Sequence, residues 1–395
     1  MRTNQKLNYL FMLYAFLIPL SRAGIIITTI LIIISWIVEG DIKTKSKLIL
    51  SNRFILSILS LFGLIFISVL WVEPQNYHLW FSYMNKFWYF LPLLALYTSI
   101  KKEFIDKIIY SFLVGMIISL FFSYGVLLDI VEGRSAVSFF MTNYIMYGIF
   151  LSISALYFII LAINHIDNRF KIIYITLSIL FVYILFLNEA RTGHFSFIIG
   201  IFVIGIIYRK QNLKTVISLL IFAILSTTII YKFNNNFQNR VEAIDDNIEK
   251  ISNDNLCNSI GGRVVTWQIA YDILQSEPIF GMGTGDHLIY LKDSMDIKLP
   301  NCKGMTDRID YFHSQYIEIF AQNGLVGLFL LLSIFYYLWR VEIKNSNLKY
   351  LKYILITLFL AIFLADVPFR KQFAIALFVL ISGLILAQNR IEKSE

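Results

Sequence analysis

Charge is what this sequence has least of. Only 15% of its 395 residues are Asp, Glu, Lys or Arg, against 58% hydrophobic, and mean hydropathy is +0.69. A soluble globular domain carries about a quarter charged residues, so soluble classes are excluded and the chain reads as an all-α polytopic membrane protein. No nucleic-acid motif accompanies the formal charge of +8. The basic residues gather instead in short loops between apolar runs, which is how a bilayer protein sets its orientation. Neither paired carboxylates nor a metal-ligand cluster stands out. Cysteine is scarce as well, with Cys257 and Cys302 alone.

What is present is a succession of apolar runs long enough to cross a hydrocarbon core. Twelve spans are expected, at about 7–20, 24–38, 54–71, 79–98, 104–127, 140–163, 171–188, 192–208, 214–231, 315–339, 350–365 and 371–387. The first could pass for a signal peptide, but it has no small-residue cleavage site and a second run follows at once, so it reads as a retained helix. Alternate connections are basic: Lys43, Lys45, Lys47 and Arg53, then Lys101, Lys102 and Lys107, then Arg169 and Lys171, then Arg209, Lys210 and Lys214, then Arg340, Lys344, Lys349 and Lys352. The opposite short loops hold little beyond Arg22, Arg134, Arg191, Arg370 and Lys371. Positive charge marks the cytoplasmic side, which predicts both termini in the cytoplasm and the loop 232–314, between spans nine and ten, outside.

That loop is the one long polar interval. Val241, Ile244, Ile248 and Ile251 fall at helical spacing, as do Val264, Trp267, Ala270 and Leu274 before Pro278. It is predicted to form short amphipathic helices lying on the membrane body. With no internal repeat or low-complexity linker, residues 1–395 read as a single membrane domain.

Within the spans, ionisable groups are few, with Lys86 in the fourth the main exception; it either pairs internally or lies beside a lipid phosphate. Other notable polar groups sit at external helix ends: Arg191, Arg263, His313 and Asp366. Chemistry gathered at one membrane face implies a lipid-linked substrate. A guanidinium gives a diphosphate permanent charge and paired donors, and two of them could neutralise a departing pyrophosphate with no metal required. The bland alternative for Arg191 and Arg263 is snorkelling to headgroups, or pairing with an acid such as Glu189. His313 either rests at the interface or serves as a general base, since neutral imidazole can take a hydroxyl proton. Asp366 could orient that imidazole or bind a sugar. The Gly-Met-Gly-Thr-Gly run at 281–285 lacks the Lys-Ser/Thr of a nucleotide loop and reads as a tight turn, with His287 a loop residue. Both cysteines fall on the oxidising side. If joined, they would close about 45 residues and stabilise the fold by up to roughly 4 kcal/mol.

These positions resemble the O-antigen ligase and polymerase superfamily of bacterial envelope enzymes. His313-Ser314, nine residues, then Gly324-Leu325-Val326-Gly327 fits the ligase pattern H-[NS]-x9-G-x-x-[GTV]. Glu189-Ala190-Arg191-Thr192-Gly193 is similar to the family's Arg-Ser/Thr-Gly helix start. Gly262-Arg263, Trp267, Pro278 and Gly281-Met282-Gly283 are similar to its Arg-x3-Trp and Pro-x-x-Gly-x-Gly elements. The resemblance implies an inverting, metal-independent glycosyltransferase with no cofactor at the periplasmic face of the inner membrane. Arg191 and Arg263 would hold the diphosphate of an undecaprenyl-diphosphate-linked glycan, and His313 would activate an outer-core sugar hydroxyl of lipid A-core. Asp366, at the end of the penultimate span, matches a family acidic position. A ligase is favoured over an O-antigen polymerase because the external loop Asp129–Phe139 is short. It is favoured over a protein O-oligosaccharyltransferase because the chain ends soon after span twelve. A lipid-linked oligosaccharide transporter would need a polar route that little beyond Lys86 and Asn85 supplies.

Overall fold

The computed structural model describes residues 2–134, 137–141, 143–208, 256–307 and 309–395, together with 221, 228, 231, 232 and 238. Most of the ninth expected span, and the run through Val241, Ile244, Ile248 and Ile251, lie outside the described residues.

Ten helices precede that interval: α1 Arg2–Leu17, α2 Arg22–Val38, α3 Ile42–Ser51, α4 Arg53–Ile67, α5 Tyr77–Met84, α6 Pro92–Ser99, α7 Ile105–Leu127, α8 Tyr144–Asn164, α9 Asn168–Leu187 and α10 Arg191–Tyr208. Six follow it: α11 Ser259–Ser276, α12 Asp286–Lys298, α13 Lys303–Thr306, α14 Gln315–Trp339, α15 Ser346–Ile362 and α16 Gln372–Ser394. Among the described residues, seven helical segments are long and apolar enough to cross a membrane, or eight if the bent pair α2–α3 is one span. The chain is thus a multi-span helical membrane protein, with the full count of twelve not established by these elements.

Two helices are apolar all round and accordingly buried on all sides. The most apolar window of α8 is 94% buried and that of α16 83%, against 33% for α9, so α8 and α16 form the centre and α9 part of the perimeter.

Two departures from simple hydropathy matter. Residues 42–51, read as a basic loop, form a helix folded at 115° to α2. The chain reverses through Gly40 and Asp41 at positive φ, and buried Lys45 holds the fold by reaching Glu39 and the Trp36 carbonyl, each at 2.8 Å. The expected fourth span, 79–98, is not one helix. It breaks into α5, a 3-10 turn at Phe87–Phe90, and α6, with Pro92 at the start of α6 where a missing N–H costs nothing. The aromatic turn follows its packing: Phe87 lies 4.3 Å from Phe62 and Phe90 5.4 Å from Phe369, ring to ring. Lys86 caps this break with its side chain exposed and makes no ion pair among the described residues. Of its two readings, internal pairing thus finds no partner among the described residues.

The loops expected on one side do share one end of the molecule. Arg390 donates to the Thr98 and Ile100 carbonyls, the Lys344 N–H donates to Glu392, Tyr208 to Asn164, and Asn164 to Asn347. At the opposite end Ser68 meets Thr284, Asn76 meets Asp286, and Gln372 reaches the Arg22 carbonyl.

Candidate active site

The opposite end carries a layer with its own small core. Val265, Ile269 and Ile273 of α11 pack with Leu291 and Met295 of α12, and with Phe312 and Ala321 below. The sequence expectation named Val264, Trp267, Ala270 and Leu274 as the apolar stripe. Ala270 is buried, but Trp267 and Leu274 are 52% and 38% exposed. Apolar residues occur on both faces of α11, so spacing alone did not choose between them. Cys257 and Cys302 are bonded, with Cα atoms 5.4 Å apart, tying the start of α11 to the segment that leads towards Phe312.

Phe312 sits in that core, and the next residue, His313, adopts φ +54. Left-handed backbone is costly for a side chain with a Cβ, and its neighbours hold it there. Ser314 donates its hydroxyl to the Phe363 carbonyl at 2.9 Å, the Gln315 N–H reaches the carbonyls of Phe363 and Asp366, and the Phe312 N–H donates to Glu318. His313 stands half-buried against Tyr311, ring centroids 4.4 Å apart, and its imidazole has no hydrogen-bond partner among the described residues. Burial first, then the Arg263 charge, push the imidazole below its ordinary 6.5; the fields of Asp366 and Asp310 oppose this, and Lys371 adds to it. A neutral imidazole is the form that can accept a proton.

Arg263 lies in the first turns of α11, whose N-terminus Asn258 caps by accepting from the N–H groups of Ile260 and Gly261. It is half-buried and makes no ion pair among the described residues. Its charge acts on both His313 and Tyr311. Asp366 is buried, and Lys371 contacts both of its oxygens at 2.6 Å while the Val367 N–H takes one of them. It acts on His313 through its field, not as a ligand of the ring. Its burial leaves no surface for a sugar.

Arg191 is the exposed first residue of α10. Helices α10 and α15 pack side by side, with Tyr208 against Tyr350 at their far ends. Seventeen residues back from Tyr208, at about 1.5 Å each, Arg191 comes to the same end as Asp366 and His313. Gly193 in the same motif lets α10 approach α8, since a Cβ there would fall 2.9 Å from the Gly148 Cα.

Three groups at this end were passed over in the sequence. Glu318, fully buried one turn into α14, takes a hydrogen bond from Arg370 at 3.0 Å and lies 3.5 Å from the Nε2 of His287. Arg370 also donates to the Asp310 carbonyl and lies over the rings of Tyr83 and Tyr311. His287, read as a loop residue, is wholly buried and stacks on Phe312. The signals existed: an acid just inside a span, and Arg370-Lys371 on the side that should be poor in positive charge.

The glycine run is more than a turn. Helix α14 breaks at Gly324, where φ is +62. The backbone groups released there are met by the segment 278–283. Met282 and Gly283 donate to the carbonyls of Ala321 and Gln322, while Leu325 and Val326 donate to those of Pro278 and Ile279. A Cβ on Gly324 would fall 2.2 Å from the Ile279 oxygen, and one on Gly281 2.6 Å from the Gly324 nitrogen. Two motif elements some forty residues apart are thus the halves of one joint beneath the layer bearing Arg263.

Residues 176–332 match the family model described as O-antigen ligase. An uncharacterized protein of Haemophilus influenzae is 28% identical over 174 residues, covering 41% of this chain and 42% of that protein. An O-antigen ligase of Escherichia coli K12 is 22% identical over 350 residues, covering 82% of this chain and 78% of that one. The chain therefore spans less than half of the Haemophilus protein and over three quarters of the Escherichia coli one. The matched segment contains Arg191, Arg263, His313 and both halves of the glycine joint, and together with the longer alignment it makes this chain similar to the O-antigen ligases.

Proposed function

We propose that the protein is a lipid A-core:O-antigen ligase of the bacterial inner membrane. It would transfer glycan from undecaprenyl diphosphate to a sugar hydroxyl of lipid A-core, in an inverting reaction that needs no metal ion. The observation that carries this reading is His313: an imidazole with no hydrogen-bond partner among the described residues, its pKa lowered by burial and then by the Arg263 charge, at the end of the molecule opposite the basic loops. In the reaction His313 takes the acceptor hydroxyl proton as that oxygen bonds to the anomeric carbon. The bond from that carbon to the phosphate oxygen breaks, its electron pair leaves with the diphosphate, and configuration inverts. Arg263 and Arg191 meet the charge that develops, where a paired donor set stabilises the transition state more than the ground state. Asp366 and Lys371 set the field around the imidazole. Similarity to the O-antigen ligases supports the donor class; the charge distribution of the loops supports a periplasmic site and cytoplasmic termini.

The test is reconstitution of purified protein with a lipid-diphosphate glycan and either lipid A-core or additional donor. Extension of lipid A-core is expected. Extension of donor alone would make the protein a polymerase. His313→Ala should lower turnover by about a hundredfold or more, the scale of a lost general base, while the donor is still retained. Transfer at the unsubstituted rate would remove the base assignment.

A further inference from the structure

The end of the molecule farthest from His313 holds a cavity that the transfer reaction does not use. It measures about 740 Å³ and lies between the start of α4 and the ends of α6, α14 and α16. Four of its lining side chains are cations, Arg53, Arg340, Arg390 and Lys393, and one is an acid, Glu342. A second cavity of about 580 Å³ shares Arg340, Glu342 and Lys393 and adds Lys344, Lys349 and Lys352. Basic residues on this side are expected of any membrane protein, but such residues ordinarily spread into water. Here they come from three separate stretches of chain and line one concavity.

Their pairing sets them apart further. Lys45 and Lys102, at the same end, have carboxylate partners in Glu39 and Glu395. Arg53, Arg340 and Lys393 make no ion pair among the described residues and are exposed. Arg390 spends its two terminal nitrogens on the Thr98 and Ile100 carbonyls, 2.6 Å each, and its buried Nε–H has no acceptor. Convergent guanidinium groups that no carboxylate pairs with among the described residues suit an oxyanion that accepts several donors, and a phosphate ester is that anion. The site also has a defined depth. Tyr336 in its wall and Trp339 beside it are 58% and 55% exposed on the outer face of α14, and amphipathic rings in that position mark the boundary of the bilayer. An anion reaching the cavity from that boundary would be carried by a lipid.

We propose that this cavity binds the phosphate headgroup of an anionic membrane lipid, held by Arg53, Arg340 and Lys393 with Arg390 as the fixed wall. The reading is independent of the chemistry at the other end. Delipidated full-length protein in a neutral detergent is titrated with phosphatidylglycerol, with phosphatidylcholine of the same chains, and with inorganic phosphate, and bound ligand is counted by native mass spectrometry. Phosphatidylglycerol should bind saturably, at least tenfold tighter than phosphatidylcholine, and inorganic phosphate should compete only weakly. Neutralising three surface charges, in Arg53→Gln/Arg340→Gln/Lys393→Gln, should weaken phosphatidylglycerol binding by roughly a hundredfold. The charge-retaining Arg53→Lys/Arg340→Lys variant, which guards against a folding defect, should keep most of it. Equal binding by the neutralised variant, or equal affinity for phosphatidylcholine, overturns the site. Displacement of the lipid by inorganic phosphate at matching concentration overturns the lipid as its occupant.

Discussion

His313 combines a costly backbone with a ring that has no hydrogen-bond partner among the described residues, and the two are connected. Four hydrogen bonds from Phe312, Ser314 and Gln315 fix the chain on either side, so the ring is aimed by the backbone and its nitrogens stay available. Its pH response follows from its surroundings. Because the folded value lies below 6.5, the imidazole gains its proton only as pH falls through a window beneath that figure, and kcat/KM for transfer should rise with pH there and level off above it. Replacing Arg263 with Gln removes the second-largest depressing influence, so the acidic limb of the residual activity should move upward, towards 6.5. A limb that stays in place in that variant would show that Arg263 does not act on the base. The sequence disclosed His313 and Arg263 through motif spacing and charge. It could not disclose that Glu318 and Arg370, 52 residues apart, pair with each other, because that contact is made only by folding.

The joint between segment 278–283 and α14 is an element-scale device. A break in a helix leaves N–H and C=O groups unpaired, and unpaired groups are expensive in a membrane setting; here a second stretch of backbone supplies the partners. Gly324→Ala would place a methyl 2.2 Å from the Ile279 oxygen at a φ that alanine resists. It should destabilise the protein by roughly 3 kcal/mol or more from overpacking and backbone strain together. A thermal melt in detergent measures this, and a melt unchanged from the parent would show that the joint is not tight. The Cys257–Cys302 bond acts on the same layer from the other side. Reduction should lower the melting temperature, with a loss of stability smaller than the roughly 4 kcal/mol of an unstructured loop, since α11 and α12 already share a core. Hydropathy could foresee neither the break at Gly324 nor the one at Lys86. Both depend on what packs against the backbone, and a sliding average of apolar character runs straight across them. The long continuous helices α7, α8 and α10 were legible because each must satisfy its own backbone while presenting apolar side chains to lipid or neighbour.

Across the whole molecule, the two ends divide the work by charge. One gathers paired and unpaired cations around cavities; the other carries Arg263, His313 and a buried carboxylate network beneath a disulfide-tied layer. In the proposed topology the first end faces the cytoplasm, as the alternation of basic loops predicts, and Arg370-Lys371 does not contradict it. These two cations are committed to Glu318 and Asp366, and charge neutralised within the fold gives little signal for orientation. Orientation can be read with single cysteines in a Cys257→Ser/Cys302→Ser background, at Lys349 on the basic end and Asp296 on α12, both exposed. A membrane-impermeant maleimide applied to cells with permeabilised outer membranes should label Asp296→Cys and spare Lys349→Cys until the inner membrane is opened. The converse pattern would set His313 facing the cytoplasm, away from an acceptor on the outer leaflet, and the ligase reading could not survive it.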